Sequence, residues 1–138
     1  MQGKLRAGPI GVVLSDTGGR IHQANDAFLE MIGRDRAALV LGEVPWDELT
    51  PAKWLPHDAA AAAEAVAHGC CAPYEKELRH ADASLVPVLV AFALVDRRTG
   101  QTAGFVLDLS ERRADAQLAR LHEQMRLAIG AARMFLWD

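Results

Sequence analysis

The chain has 138 residues, enough for one domain with a sizeable core and little more. Hydrophobic residues make up 51% and charged residues 24%, an ordinary globular balance, and a net charge of −3 argues against a nucleic-acid or anionic-membrane surface. No apolar run approaches the ~20 residues of a membrane span, the N-terminus MQGKLRAG lacks the apolar segment of a signal peptide, and the adjacent Cys70 and Cys71 make no disulfide framework, so the expected setting is a reducing cytoplasm.

In chain order, PIGVVLSD reads as a short strand, DTGG as a turn and RIHQA as a returning strand, which predicts a β-hairpin over 9–24. Asn25 is placed to cap a helix whose Phe28, Met31 and Ile32 share a face, with Gly33 at its end. Asp35 can cap a further short turn, RAAL. VPWDELTPAKWLP, with three prolines, predicts irregular chain with one-turn helices, Thr50 and Pro51 reading as a cap and first helical residue. HDAAAAAEAVAHG is the clearest helix: alanine costs least there, Asp58 lies near its start and His68 near its end.

Three strands follow: PYEKELRH, LVPVLVAFALV and QTAGFVLDL. The order ββααα-βββ predicts an α+β fold, a five-stranded antiparallel sheet with helices on one face. In the middle strand Val86, Val88, Val90, Phe92 and Leu94 share one face and Leu85, Leu89, Ala91, Ala93 and Val95 the other. An antiparallel sheet normally solvates its second face, so this one predicts a cover, either a terminal helix or a second subunit. The last strand runs into a helix, expected from about Ser110 to Ala128, with no Gly or Pro between them. Ala114, Leu118, Leu121, Met125, Ala128 and Ala132 follow an a/d spacing. That pattern suits a coiled coil or an amphipathic helix packed on its own domain. Ser110 can cap the helix, and Asp108 precedes Arg112 by four residues, the favourable order for a helix pair.

Over roughly residues 8–113 the chain resembles a PAS domain. GRIHQANDAFLEMIG looks like the family's hairpin followed by Asn-x-x-Phe and a helix-ending glycine. YEKELRHADASLVPV is similar to its paired-strand segment, usually Glu-x-x-x-x-x-x-Asp-Gly-Ser, and GFVLDLSERRADAQL resembles its terminal Asp-Ile-Thr motif, here Asp108-Leu109-Ser110. The Asp-Gly turn is Asp82-Ala83 in this chain; alanine disfavours positive φ, so a type I turn or a longer loop is expected there rather than type I′. LAIGAARMFLWD looks like the opening of another PAS domain. The resulting expectation is an N-terminal flank at 1–8, the domain at 9–109, a signalling helix at 110–128 and the possible start of a following domain at 129–138.

The resemblance implies a sensory and dimerisation domain of a bacterial-type signalling protein, such as a sensor histidine kinase or a cyclic-di-nucleotide protein. It implies signal coupling through Asn25, Asp108, Ser110 and Arg112 to an output module in the same chain. The alternative is a sensor whose bound haem or small metabolite is itself the signal. A small-molecule pocket between sheet and helices would be lined by Phe28, Ile32, Trp46, Val66, Arg79, Val90 and Phe92. No cofactor is expected. Among the five histidines only His68 could serve as a haem axial ligand, and it reads better as a cation at a helix C-terminus. The region that carries the flavin-binding cysteine in photosensing relatives has none here. No zinc spacing, phosphate loop, nucleophile elbow or carboxylate pair appears, so neither a metal nor catalysis is expected within these residues. The expected partner is a second copy, bound through the outer sheet face and the flanking helix.

Overall fold

The computed structural model describes residues 10–16, 19–40, 45–110 and 115–136. Strands β1 (Gly11–Ser15) and β2 (Ile21–Ala24) form the expected hairpin; Val13 and Ser15 turn inward while Val12 and Leu14 stay half-exposed. Helices α1 (Asp26–Ile32), α2 (Arg36–Val40) and α3 (Leu55–His68) follow, with a 3-10 turn at Ala52–Trp54. Strands β3 (Tyr74–Arg79), β4 (Leu85–Asp96) and β5 (Gln101–Asp108) complete one sheet in the order β2-β1-β5-β4-β3, every pair antiparallel. The α+β expectation holds.

Asn25 starts α1 and does more than cap it. Its Oδ1 accepts from the backbone N–H groups of Phe28 (3.1 Å) and Val12 (2.9 Å), and its Nδ2 donates to the Ile10 carbonyl (2.9 Å). One side chain thus satisfies a helix-end donor and bridges to β1. Asn25→Ala should cost ~2 kcal/mol, above a simple cap even though the residue is exposed. Asn25→Ser, which keeps a cap but is too short for the bridge, should recover about half. Urea midpoints of the two variants check this; equal losses would show that the bridge contributes nothing.

At the other end of α1, Gly33 takes φ +68°, and a Cβ there would lie 2.2 Å from the His80 ring. This close approach brings α1 against the β3–β4 connection, where the Ala81 N–H donates to the Ile32 carbonyl. That connection is a longer loop, as expected: His80 N–H bonds to the Ser84 carbonyl, closing three residues, and Ala83 N–H bonds back to His80. The premise fails at Ala83, which adopts φ +77° despite its Cβ. Asp82 Oδ1 accepts from both the N–H and the hydroxyl of Ser84, and these bonds hold the turn against the steric preference. Ala83→Gly should therefore raise stability by ~0.5–1 kcal/mol, read as a rise in melting temperature; a fall would show that the positive φ is not strained.

Thr50 is not a helix cap. It is buried, its hydroxyl donates to the Trp46 carbonyl, and Pro51 holds the capping position of the 3-10 turn without a side-chain bond. Helix α3 starts at Leu55, earlier than expected, because Pro56 suits its first turn, and it ends at left-handed Gly69.

Register places Val86, Val88, Val90, Phe92 and Leu94 on the face toward α1–α3. The opposite face carries Leu89, Ala91 and Ala93, all fully buried. Their cover is α4 (Asp115–Leu136), whose Met125 and Ile129 are buried in the same cluster with Leu121 packed beside them. His122 Nε2 lies 3.7 Å from a Glu75 carboxylate oxygen, tying α4 to β3 on that face. Of the two packings open to the tail, α4 thus adopts the one on its own domain.

The strand does not pass directly into the helix. β5 ends at Asp108, whose Oδ1 accepts from the Ser110 N–H (2.7 Å), and Leu109 N–H bonds to the Pro87 carbonyl. The described helix spans Asp115–Leu136, past the expected end at 128, and LAIGAARMFL continues it. Residues 111–114, among them Arg112 and Ala114, lie outside the described residues. Ile129, absent from the a/d pattern, belongs to the buried stripe because Leu121, Met125 and Ile129 repeat every four residues.

Candidate functional site

The inner face of β3 carries a lysine. Tyr74, Lys76 and Leu78 point toward the helices while Glu75 and Arg79 are exposed. The Lys76 side chain is completely buried. Its Nζ donates to Asp58 Oδ2 on α3 (2.6 Å) and to Thr50 Oγ1 (2.9 Å), and it stands 4.6 Å from the centroid of the Trp46 ring. Tyr74 donates its hydroxyl to Asp58 Oδ1 at 2.5 Å. The carboxylate is thereby matched on both oxygens, as a buried charge requires. Burial pushes the Lys76 pKa below its ordinary value while Asp58 acts to raise it. Burial, then the neighbouring Asp58 charge, holds the Tyr74 phenol well above its ordinary range.

Trp46 stacks on Phe28 at a centroid distance of 6.0 Å and meets Phe92 edge-on at 5.9 Å. Its backbone N–H donates to the Gly19 carbonyl, fixing the segment before α3 against the hairpin. Gly104 on β5 leaves room for Phe92, since a Cβ there would come within 3.1 Å of that ring.

Above these aromatics lies an open cleft of about 200 Å³ between the hairpin end of the sheet and α3. Ser15, Thr102, Phe92 and Trp46 line the sheet side; Leu55, Asp58, Ala59, Ala62 and Val66 line the α3 side; Asp16, Gly19 and Asp47 complete the rim. The hydroxyls of Ser15 and Thr102 stand 3.3 Å apart. The alanines of α3 keep its backbone close to the sheet.

Three of the expected pocket residues, Trp46, Val66 and Phe92, line this cleft. Phe28, Ile32 and Val90 do not: they are fully buried core, because α1 packs directly on the sheet and leaves no space there. Arg79 is exposed and reaches the Glu48 carbonyl (3.3 Å) instead of the cleft; period 2 along β3 sends it outward with Glu75. His68 is exposed at the end of α3 and is not among the described residues that line the cleft. Among the described residues no cluster of three His, Cys, Asp or Glu could hold a metal ion. Of the coupling residues, Asn25 joins β1 to α1, Asp108 caps the turn after β5 and Ser110 is exposed within it.

Lys76, Asp58, Tyr74 and Thr50 form a site that sequence reading does not assemble. The available signal is Lys76 standing between Tyr74 and Leu78 on the inward parity of β3. Cys71 is also buried, which raises its thiol pKa to about 11, so it is a packing residue rather than a reactive one.

A PAS domain family model matches residues 9–111. The chain is 38% identical over 112 residues to the hybrid signal transduction protein dokA of Dictyostelium discoideum, which covers 81% of this chain but only 7% of that relative. Many solved structures share the fold, among them the following two. A PAS domain from Colwellia psychrerythraea aligns with a TM-score of 0.65 at 17% identity, covering 75% of this chain and 88% of its own. A domain of a sensory box sensor histidine kinase/response regulator from Geobacter sulfurreducens aligns with a TM-score of 0.57 at 20% identity, covering 72% and 82%. No helix among the described residues is long and apolar enough to cross a membrane.

Proposed function

The chain belongs to the PAS domain family, and from that premise we propose that it is a cytoplasmic sensory module relaying a signal through α4 to an output module of a two-component or cyclic-di-nucleotide protein, the first output class being a histidine kinase. The observation that carries this reading is the docking of α4: one helix, next in the chain after β5, covers the sheet's outer face with Leu121, Met125 and Ile129. The similarity to a segment of a hybrid signal transduction protein supports it. These residues bind and transmit; catalysis belongs to the output module.

Self-association through the outer face belongs to the same reading. α4 occupies that face, so association of two copies competes with docking and is coupled to the helix's release.

The test is an insertion series after Ala131, beyond the buried Met125 and Ile129, in the chain that carries the native output. One residue rotates all that follows by ~100°, whereas seven nearly restore the phase. Output should change with one or two inserted residues and return with seven. Output indifferent to phase would make α4 a passive tether.

A further inference from the structure

Helices α3 and α4 lie on opposite faces of the sheet, yet side chains of one strand hold both. Resting on the relay reading above, we propose that the edge strand β3 passes displacement of α3 to α4, with Glu75 and His122 as the coupling pair.

Three features carry this. First, consecutive residues of β3 reach opposite helices. Tyr74 and Lys76 hold Asp58 of α3 on the inner face, while Glu75, between them, meets His122 of α4 on the outer face at 3.7 Å. Neighbours along a strand point to opposite faces, so a tilt or slide of β3 acts on both helices at once. Second, the chain leading into α3 is bonded to β3 along its length. The Arg79 N–H donates to the Leu49 carbonyl, Lys76 Nζ to the Thr50 hydroxyl and the Trp54 indole N–H to Glu77 Oε1. The apolar share of the attachment is small, because α3 buries only Ala61 and Ala65 beside Asp58. Displacement of 49–58 therefore pulls on β3 through directional polar bonds instead of slipping over an apolar surface.

Third, β3 can respond. It is an edge strand held by one ladder, to β4, whereas β5, which precedes α4 in the chain, is held by ladders to both β1 and β4. Moving β3 strains one ladder; moving β5 strains two. With α3 in place, its bonds keep β3 where Glu75 meets His122. When α3 shifts, that contact is lost and α4 is held by its apolar stripe alone. The pair is partly exposed, which limits the coupling to about two- to fivefold in the opening equilibrium of α4.

The test is a double-mutant cycle in the 138-residue protein, read by native-state hydrogen exchange of α4 over 121–129. It is run at about pH 6, where an ordinary histidine is mostly protonated. Tyr74→Phe takes one bond from Asp58 and leaves Lys76 in place. It should lower protection of these amides about two- to fivefold. In a Glu75→Gln background the same substitution should leave their protection unchanged, because the link is already cut. Asn25→Ser, which loosens the β1–α1 junction and touches neither β3 nor α4, should also leave it unchanged. Equal losses from Tyr74→Phe in both backgrounds, no loss in either, or the same loss from Asn25→Ser would overturn the proposal. The insertion series leaves β3 intact, so phase-dependent output combined with failure here would keep the relay and remove only this route.

Discussion

Lys76→Met is expected to lower the domain's stability by about 3–5 kcal/mol, the cost of breaking a buried ion pair by removing one partner. The lysine makes the only salt bridge among the described residues with a fully buried side chain. Removing its ammonium strands the Asp58 carboxylate between α3 and β3, takes one donor from the Thr50 hydroxyl, which keeps its bond to the Trp46 carbonyl, and removes the cation from the Trp46 face. The loss comes mainly from the unmatched carboxylate, and the pair itself need not add net stability. The combined variant Lys76→Met/Asp58→Leu/Tyr74→Phe removes both charges and the Tyr74 hydroxyl, leaves Thr50 bonded to the Trp46 carbonyl, and should recover most of the loss. Urea unfolding of the single and triple variants measures both. A triple variant as unstable as the single one would show that packing geometry, and not charge matching, sets the cost.

Met125→Glu is expected to detach α4 from the sheet. Met125 is fully buried against the outer face, beside Ile129 and over Leu89, Ala91 and Ala93. A carboxylate there has no partner and would be driven to solvent, taking the helix with it. The inner core around Phe28, Ile32 and Val90 does not depend on α4, so the domain should remain folded with a reduced melting temperature. Hydrogen exchange over 115–136 should accelerate strongly, since most of a helix's stability in a protein comes from the packing of its apolar face. The uncovered apolar face should then shift light-scattering mass toward a dimer at micromolar concentration. Unchanged exchange in α4 would mean that the docking is not held by this stripe, and a strict monomer with a freed helix would reject self-association through this face.

The β-hairpin, the Asn25-started helix, the alanine helix and the three long strands are all legible from local pattern, because capping, alternation and helix propensity act within a few residues. The two apolar faces of β4 are equally legible, and with them the need for a second cover. Tertiary structure decided what that cover is: the a/d spacing fits a coiled coil or a docked helix, and α4 packs on the outer face, which also buries Ile129. It also decided the cleft. Phe28, Ile32 and Val90 have the right chemistry for a lining, but α1 closes on them and moves the open space to the hairpin end of the sheet. At Ala83 a local steric rule gave way to the Asp82–Ser84 bonds that close the loop. The ion pair shows the boundary most plainly. Lys76 stands on the inward parity of β3 in the sequence itself, but Asp58 lies eighteen residues before it. Only the packing of α3 on the sheet turns a helix-start acid and a strand lysine into a matched buried pair.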